Sequence, residues 1–305
     1  MRIFVTGVGG QLGHDVMNEL AKRGYEGVGS DIAPSYSGIA DGTAVTTMPY
    51  VQMDITDKAS VEKVIKEANV DAVIHCAAWT AVDAAEDEEN QPKVRLVNVT
   101  GTQNIADVCK ELDIKMLYLS TDYVFDGQGT TPWEPDCKDY KPLNVYGQTK
   151  LDGELAVSGT VNKFFIVRIA WVFGKNGKNF VKTMLRLAKS RDEIRVVDDQ
   201  IGSPTYTPDL AALLCDMISG DKFGVYHATN EDYCSWAEFA AAVMELSGSG
   251  AKITPIPSSE YPSPAARPAN SRLSKKSLDD AGFDRLPPWR DALARFLSDI
   301  DIAAL

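Results

Sequence analysis

The sequence contains few cysteines and histidines, and it lacks a long apolar run. Its three histidines, His14, His75 and His227, show no metal-ligand spacing, so we predict no metal site. The five cysteines are odd in number, scattered and without a C-x-x-C motif, which is typical of reduced thiols and predicts a cytoplasmic protein. No apolar run reaches the ~18 residues of a membrane-spanning helix, and the N terminus does not resemble a signal peptide. These shortages argue against a disulfide-stapled secreted protein and an integral membrane protein.

Basic residues are also in short supply, with 31 Lys and Arg against 43 Asp and Glu and a formal net charge of −12. This excess of negative charge argues against nucleic acid or an anionic membrane surface as a partner. The acidic run DAAEDEE, Asp83 to Glu89, is interpreted as a solvated helix face rather than a metal site. With 305 residues, 44% of them apolar, the chain can bury a full core, and we expect two lobes.

Glycine is concentrated at the N terminus, where RIFVTGVGGQLG runs from Arg2 to Gly13. A short apolar strand leads into Gly7, Gly10 and Gly13, and a helical pattern follows. Strand, glycine turn and helix form the context of a dinucleotide fingerprint, in which glycines let the backbone approach a pyrophosphate at the helix start. Asp31 ends the next strand, where an acid can bind ribose hydroxyls. A glycine triplet alone is equally typical of a flexible turn, but this context predicts NADPH or NADH as cofactor.

Short runs rich in Val, Ile and aromatic residues alternate with helical patterns through the first two thirds of the chain. This alternation predicts an α/β fold, a Rossmann-like doubly wound parallel sheet, followed by a smaller C-terminal substrate-binding lobe. We assign residues 1–173 and 203–229 to the NAD(P)-binding domain and residues 174–202 and 230–305 to the lobe. The predicted strands are Arg2–Gly7, Glu26–Asp31, Tyr50–Met53, Ala72–Ala77, Met116–Thr121, Phe164–Val172 and Val225–Ala228. The predicted helices are Leu12–Arg23, Ser60–Ala68, Pro92–Leu112, Val145–Val157, Asn179–Ser190, Pro208–Ile218, Trp236–Leu246 and Trp289–Asp299. The tail after Asn230 carries too little strand pattern for a second sheet.

A Tyr-x-x-x-Lys pair, Tyr146 and Lys150, carries the chemistry. Four residues apart on a helix, both side chains lie on one face, although such a pair is often only a solvated surface. Thr121 ends a buried strand at the carboxyl edge of the sheet, where it is either a catalytic hydroxyl or a strand-end cap. A permanent cation ~4 Å from the phenol would bring the pKa of Tyr146 from ~10 towards neutrality. We therefore predict hydride transfer to a ketone, with Tyr146 donating the proton, Thr121 bonding the carbonyl oxygen and Lys150 holding the nicotinamide ribose.

Together, these motifs resemble the extended short-chain dehydrogenase/reductases. The resemblance extends over nearly the whole chain, and its more specific strings resemble the members that reduce dTDP-linked 4-keto sugars. The strings that carry the resemblance are GQLG, AAWTAVDAAE, STDYVFDG, PLNVYGQTKLDGE, WVFG with NGKNFVKTMLRLA, VVDDQIGSPT and SEYPSPAARPANSRL. The last three are the specific ones, because other branches of the family share the glycines and the Tyr/Lys pair but not these.

The resemblance implies a role for each matching position. Thr121, Tyr146 and Lys150 are the implied catalytic set. Cofactor-binding positions, besides Tyr146 and Lys150, are Gly7, Gly10, Gln11, Leu12, Gly13, Asp31, Asp54, Ile55, Ala77, Ala78 and Thr80. Substrate-binding positions are Val82, Asp122, Tyr123 and Trp171, although Trp171 also fits a plain core position. Arg267 is our candidate for the cation that faces the substrate diphosphate, with a solvated loop arginine as the alternative.

The implied reaction is reduction of the 4-keto group of a dTDP-linked 6-deoxy-4-keto hexose. Two alternatives stay open: a non-catalytic regulatory subunit, since the β subunit of some methionine adenosyltransferases resembles the same family, and a nucleotide-sugar epimerase or a reductase that forms the C4 epimer. The expected partners are the dTDP-sugar and, in a homodimer, a second copy of the chain. Because Asp31 repels a 2′-phosphate, we expect NADH to be accepted at least as well as NADPH.

Overall fold

The computed structural model describes residues 1–40, 42 and 47–305. Its strands are β1 Arg2–Thr6, β2 Glu26–Asp31, β3 Tyr50–Gln52, β4 Ala72–His75, β5 Lys115–Thr121, β6 Phe164–Ile169, β7 Val172–Phe173, β8 Glu193–Val197, β9 Ile201–Gly202, β10 Thr205–Tyr206, β11 Gly224–His227, β12 Asn230–Glu231, β13 Cys234–Ser235, β14 Lys252–Ile256, β15 Asn270–Ser271 and β16 Leu286–Pro288. Its α-helices are α1 Gln11–Lys22, α2 Lys58–Ala68, α3 Gln91–Arg95, α4 Thr102–Glu111, α5 Val145–Thr160, α6 Phe180–Ala188, α7 Thr207–Ser219, α8 Trp236–Ser247, α9 Lys276–Ala281 and α10 Trp289–Asp299.

A seven-stranded parallel sheet, in the order β11-β6-β5-β4-β1-β2-β3, forms the centre. All seven predicted strands are confirmed within a few residues of their ends. The predicted strand Phe164–Val172 is too long, because Trp171 adopts a left-handed backbone with φ of 51° that ends the pairing of β6. From β1 the chain first adds β2 and β3 on one side, and it then adds β4, β5 and β6 on the other side. The glycine turn that follows β1 therefore lies at the topological switch point of the sheet.

Helices cover both faces of this sheet, so the doubly wound prediction is confirmed. Ile3, Val5 and Leu117 point to the face that packs against α1 and α7. Phe4 and Met116, at alternate positions, point to the face that packs against α2, α4 and α5. This alternation is the two-residue period of a strand buried on both sides.

The predicted helices are all present, with one irregularity. The predicted helix Pro92–Leu112 is divided, since α3 passes through a π-helical turn at Leu96–Gly101 into α4. The short helix α9 was not predicted. Within the described residues, no helix is both long and apolar enough to cross a bilayer.

The tail carries more strand than we expected. Its residues supply β12–β16, which form small sheets in the orders β12-β16, β13-β9-β15 and β14-β8. Four of these five strands have only two or three residues, too few to show an alternating pattern, and Pro255 argues against a strand in the five-residue β14. A second hydrophobic cluster joins α6, α8 and α10, and it extends to Phe173 and Tyr206 on the other side of our proposed lobe boundary. The division into 1–173 with 203–229 and 174–202 with 230–305 stays a prediction.

Candidate active site

The glycine turn between β1 and α1 is sterically required. Gly7 has a φ of 71°, and a Cβ on it would lie 2.7 Å from the backbone nitrogen of Ala77. A Cβ on Gly13 would lie 2.3 Å from the carbonyl oxygen of Gly7. Gly10 precedes α1 and has no side chain to cap the first N–H groups. The turn therefore leaves backbone donors at a helix start for an anion, which fits the pyrophosphate of a dinucleotide.

Asp31 ends β2 beside this turn. Its Oδ2 accepts a hydrogen bond from the Gly9 N–H and its Oδ1 from the Ile32 N–H, both at 2.8 Å. Two backbone donors hold the carboxylate at the cleft, as its predicted role at the adenine ribose requires.

The carboxyl ends of β1, β2, β4, β5 and β6 open into one cleft of about 720 Å³. This volume is typical of a ligand site. All predicted site residues except Arg267 line it, namely Gly7, Gly10, Gln11, Leu12, Gly13, Asp31, Asp54, Ile55, Ala77, Ala78, Thr80, Val82, Thr121, Asp122, Tyr123, Tyr146, Lys150 and Trp171. Ser120 also lines the cleft, and its buried Oγ has no hydrogen-bond partner among the described residues. The cleft therefore offers a polar group to a ligand.

Helix α5 carries Tyr146 and Lys150, and its start is firmly anchored. Asn144 caps it by accepting from the Gly147 N–H at 2.8 Å, and the Glu86 carboxylate accepts from the Val145 N–H at 2.7 Å. A Cβ on Gly147 would lie 2.4 Å from the Tyr123 carbonyl oxygen, so this glycine lets α5 pack closely against the end of β5. The acidic segment, which we interpreted as a solvated face rather than a metal site, thus supplies a helix cap through Glu86.

Thr121, Tyr146 and Lys150 meet in this cleft. The Thr121 hydroxyl accepts from the Tyr123 N–H at 3.2 Å and donates to Asp122 Oδ1 at 3.0 Å. Thr121 is therefore both a cap and a cleft residue. The Tyr146 ring packs edge-on against Tyr123 with centroids 5.7 Å apart. The Lys150 ammonium lies 4.1 Å from the centroid of the Tyr118 ring.

The electrostatics of this set differ from our sequence-based expectation. Burial raises the pKa of Tyr146 above its usual value, the Asp122 carboxylate raises it further, and a hydrogen bond with Thr121 only partly opposes them. Burial also lowers the pKa of Lys150 to about 7, although Glu154 and Cys76 oppose the shift. The expectation of a permanent cation and an acidified phenol is wrong for the ligand-free protein, because both groups lose their hydration.

Replacing Lys150 with methionine should stabilise the ligand-free protein, most strongly at low pH. With a folded-state pKa of about 7 and an unfolded value of ~10.4, the wild type buries an ammonium below pH 7. The unfolded chain binds more protons between these two values, so wild-type stability rises with pH there. We expect Lys150→Met to melt at a higher temperature than the wild type at pH 6, and the difference to shrink towards pH 10. Equal melting temperatures at pH 6 would contradict this expectation.

Asp122 connects the catalytic strand to the C-terminal tail. Its Oδ2 accepts from the Ser271 hydroxyl at 2.5 Å, and burial raises its pKa to about 6. Ser271 lies on β15, so a tail strand contacts the residue next to Thr121 directly.

Arg267 lies outside the cleft lining given by the described residues. Its guanidinium donates to Asp83 Oδ2 at 2.8 Å and to the Ala265 carbonyl oxygen at 3.2 Å. Both side chains of the ion pair are partly exposed. The structure therefore shows neither a fully solvated loop arginine nor a cleft cation, and the role of Arg267 at a diphosphate stays a prediction.

Some lining residues are not among the predicted site residues. Cys76 and Trp79 line the cleft beside Ala77 and Ala78 in the string HCAAWT, as expected of positions that border the ligand sites, whereas Lys93 and Trp236 were missed from sequence. Lys93 lies over the Trp79 ring, 5.7 Å from its centroid, and Trp236 reaches the cleft from α8. Neither of these two residues carried a local signal.

Comparisons with known proteins agree with this geometry. The family model of the RmlD substrate binding domain matches residues 1–302. A dTDP-4-dehydrorhamnose reductase of Mycobacterium tuberculosis is 40% identical over 97% of this chain and 92% of its own length. The spore coat polysaccharide biosynthesis protein SpsK of Bacillus subtilis is 38% identical over 98% of this chain and 97% of its own length.

Solved structures of similar proteins support the same family assignment. The dTDP-4-dehydrorhamnose reductase of Bacillus anthracis, solved in complex with NADP, superposes with a TM-score of 0.89 at 36% identity, covering 98% of this chain and 99% of the other. A UDP-glucose 4-epimerase of Thermus thermophilus superposes with a TM-score of 0.81 at 20% identity over 98% of both chains, which shows a shared fold. On its fold, its cleft and these matches, the chain belongs to the RmlD substrate binding domain family, whose relatives include dTDP-4-dehydrorhamnose reductases.

Proposed function

We propose that the protein uses NADPH or NADH to reduce the 4-keto group of dTDP-4-dehydro-L-rhamnose, forming dTDP-L-rhamnose. The observation that carries the proposal is the convergence of Thr121, Tyr146 and Lys150 on the cleft that the glycine turn opens. Relatives with 36–40% identity over almost the whole chain carry the reductase name, and the Bacillus anthracis relative is solved with NADP.

The cleft residues fit the reaction. When bound, the reduced nicotinamide supplies the hydride. Tyr146 donates a proton to the sugar oxygen at C4, and the Thr121 hydroxyl, released from Asp122 Oδ1, donates a hydrogen bond to the same oxygen as negative charge develops on it. Lys150, on the same face of α5, holds the ribose and stabilises the phenolate that forms. Because the ligand-free site raises the pKa of Tyr146, proton transfer depends on this positive charge being present during the reaction.

The direct test is an assay of the purified protein with dTDP-4-dehydro-L-rhamnose and each reduced cofactor, following the loss of nicotinamide absorbance. NMR of the product then establishes its configuration at C4. Formation of the other epimer, or of no reduced sugar, would overturn the proposal. The relatives favour the reductase over the regulatory subunit, and co-purification with a synthetase in the absence of ketone reduction would reverse that preference.

Cofactor preference gives a second test. Asp31 is a fixed carboxylate at the end of β2, so it should disfavour the 2′-phosphate of NADPH. We expect NADH to serve at least as well as NADPH in the wild type. Asp31→Asn should raise the ratio of kcat/KM for NADPH to that for NADH by about tenfold, the effect of ~1.4 kcal/mol of removed repulsion. A strong wild-type preference for NADPH, or an unchanged ratio in the variant, would show that the carboxylate faces another group.

The proposal also covers the cellular compartment and the oligomeric state of the protein. Five free cysteines support a reducing compartment such as the cytoplasm. A homodimer stays a prediction, which light scattering of the purified chain would test.

A further inference from the structure

An apolar wall lies beside the catalytic threonine in the cleft. Ile169 pairs with Thr121 in the register of β5 and β6. From Ile169, the lining continues through Ala170, Trp171 and Val172, and Trp236 joins it from α8. Apart from the two indole N–H groups, these side chains carry no hydrogen-bonding group. The wall therefore offers little to a sugar hydroxyl and much to a methyl group.

Trp171 is part of this wall, and its backbone conformation is strained. Its φ of 51° lies in the left-handed region, where a bulky side chain is an outlier that surrounding contacts must enforce. The Thr205 N–H donates to the Trp171 carbonyl oxygen at 3.1 Å, and the Thr205 hydroxyl donates to the Ala170 carbonyl oxygen at 2.5 Å. A Cβ on Gly202 would lie 3.0 Å from the indole, so glycine there leaves room for the ring. Such strain is typical of a functional position.

Trp236 covers one face of this indole. The two ring centroids are 3.7 Å apart and the planes differ by 16°. Trp236 is the first residue of α8, and Ser235 and Glu238 form a complete capping box there. Phe180 packs against the Trp236 ring, with centroids 4.6 Å apart. A capped helix start and a stacked neighbour thus fix the plane of the Trp171 ring.

We propose that Trp236 is a specificity-determining residue, which holds Trp171 so that the wall selects a sugar with a methyl rather than a hydroxymethyl group at C6. This inference rests on the proposed function and deepens it. A methyl group gains by leaving water at this wall, whereas a hydroxyl loses its hydration where only an indole N–H is available to replace it. Trp236 positions Trp171 and forms part of the wall itself, and it belongs neither to the catalytic set nor to the glycine turn, so its loss should leave both intact.

Kinetics with a matched pair of substrates tests the proposal. The pair is dTDP-4-dehydro-L-rhamnose and the corresponding sugar with a hydroxyl group at C6. We expect the wild type to prefer the 6-deoxy sugar in kcat/KM by about 100-fold, the limit for rejecting an added hydroxyl in an apolar pocket. Trp236→Ala should reduce this ratio by about tenfold or more and lower kcat for the 6-deoxy sugar, while KM for the nicotinamide cofactor stays the same. Trp236→Phe keeps an aromatic ring on the wall. Its selectivity ratio should therefore lie between those of the wild type and Trp236→Ala.

Trp289→Phe is the matched control. Trp289 packs edge-on against Phe239 in the same cluster, at 5.5 Å between centroids, and it does not belong to the cleft lining in the described part of the chain. Its replacement should leave the selectivity ratio unchanged. An unchanged ratio in Trp236→Ala, or an equal fall in Trp289→Phe, would overturn the proposal.

A binding measurement separates this proposal from the proposed function. dTDP-L-rhamnose and dTDP-L-mannose differ only by the hydroxyl group at C6, and titration of tryptophan fluorescence measures the affinity of each without turnover. We expect tighter binding of the 6-deoxy sugar by the wild type, and nearly equal binding by Trp236→Ala. Absence of turnover with this binding pattern intact would contradict the proposed function alone. Equal wild-type affinities would contradict the role of the wall.

Discussion

Tyr146→Phe is expected to abolish sugar reduction while cofactor binding survives. The change removes one hydroxyl group and keeps the ring that packs against Tyr123. Without a proton donor, the developing alkoxide at C4 is stabilised by Thr121 alone. We expect kcat to fall by about 10³-fold, within the range that positioned acids contribute. Turnover would be followed with both reduced cofactors, and cofactor affinity by quenching of protein fluorescence.

Tyr226→Phe provides the control for this prediction. Its hydroxyl donates to the Lys222 carbonyl oxygen at 2.6 Å, at the edge strand and outside the described cleft lining. The control should keep wild-type turnover and should lose only local stability. Ordinary reduction by Tyr146→Phe would remove Tyr146 as the proton donor, whereas loss of cofactor binding would assign the tyrosine to the nucleotide site.

The largest expected effect on stability comes from Glu154→Leu. Glu154 lies one turn after Lys150 on α5, and both of its oxygens accept from the Arg168 guanidinium, at 2.8 and 2.7 Å. The Arg168 side chain is fully buried and the Glu154 side chain is 4% exposed. Arg168 also donates to the Tyr140 hydroxyl at 3.0 Å. Removing the carboxylate leaves a buried cation without its charge partner, which typically costs about 3–5 kcal/mol.

The double variant Glu154→Leu/Arg168→Met distinguishes the effect of losing the ion pair on stability from the effect of losing side-chain packing. Apolar residues of similar size often replace a buried pair with little loss of stability, so the double variant should be more stable than the single one. Denaturant unfolding would measure the free energy of each. Glu111→Gln, which breaks the exposed pair with Lys66, is the matched control and should change little. A double variant less stable than Glu154→Leu would show that the pair itself is the main stabilising feature.

Much of the fold and of the site could be predicted because the informative residues are local in sequence. The inner strands β1, β4, β5 and β6 of the central sheet are buried on both faces, so they read as short apolar runs between turns. The cofactor and catalytic positions lie at or shortly after the carboxyl ends of β1 to β5 or on α5, and the carboxyl ends of parallel strands necessarily meet at one edge. This is why residues as distant in sequence as Gly7 and Lys150 were assigned to one cleft.

What the sequence did not reveal depends on burial and on distant contacts. The pKa of Tyr146 rises because the phenol is desolvated, and burial of that degree is not visible in a Tyr-x-x-x-Lys spacing. The ion pair of Arg267 with Asp83 joins residues 184 positions apart. Trp236 was assigned only to an amphipathic helix, since its stacking on Trp171 arises from the packing of the tail against the end of β6.

The return of the tail to the central sheet has a consequence for biosynthesis. Leu278 and Leu286 belong to the same buried cluster as Ile3 and Val5 of the first strand. Domains can begin to fold while the chain is still being made, at about 5–20 residues per second. Here the cluster that contains the first strand is completed by residues that are made long after it. The nascent chain must therefore keep one face of its sheet partly uncovered until Leu278 and Leu286 have been made, and a nonsense mutation before residue 278 would leave that face exposed to degradation.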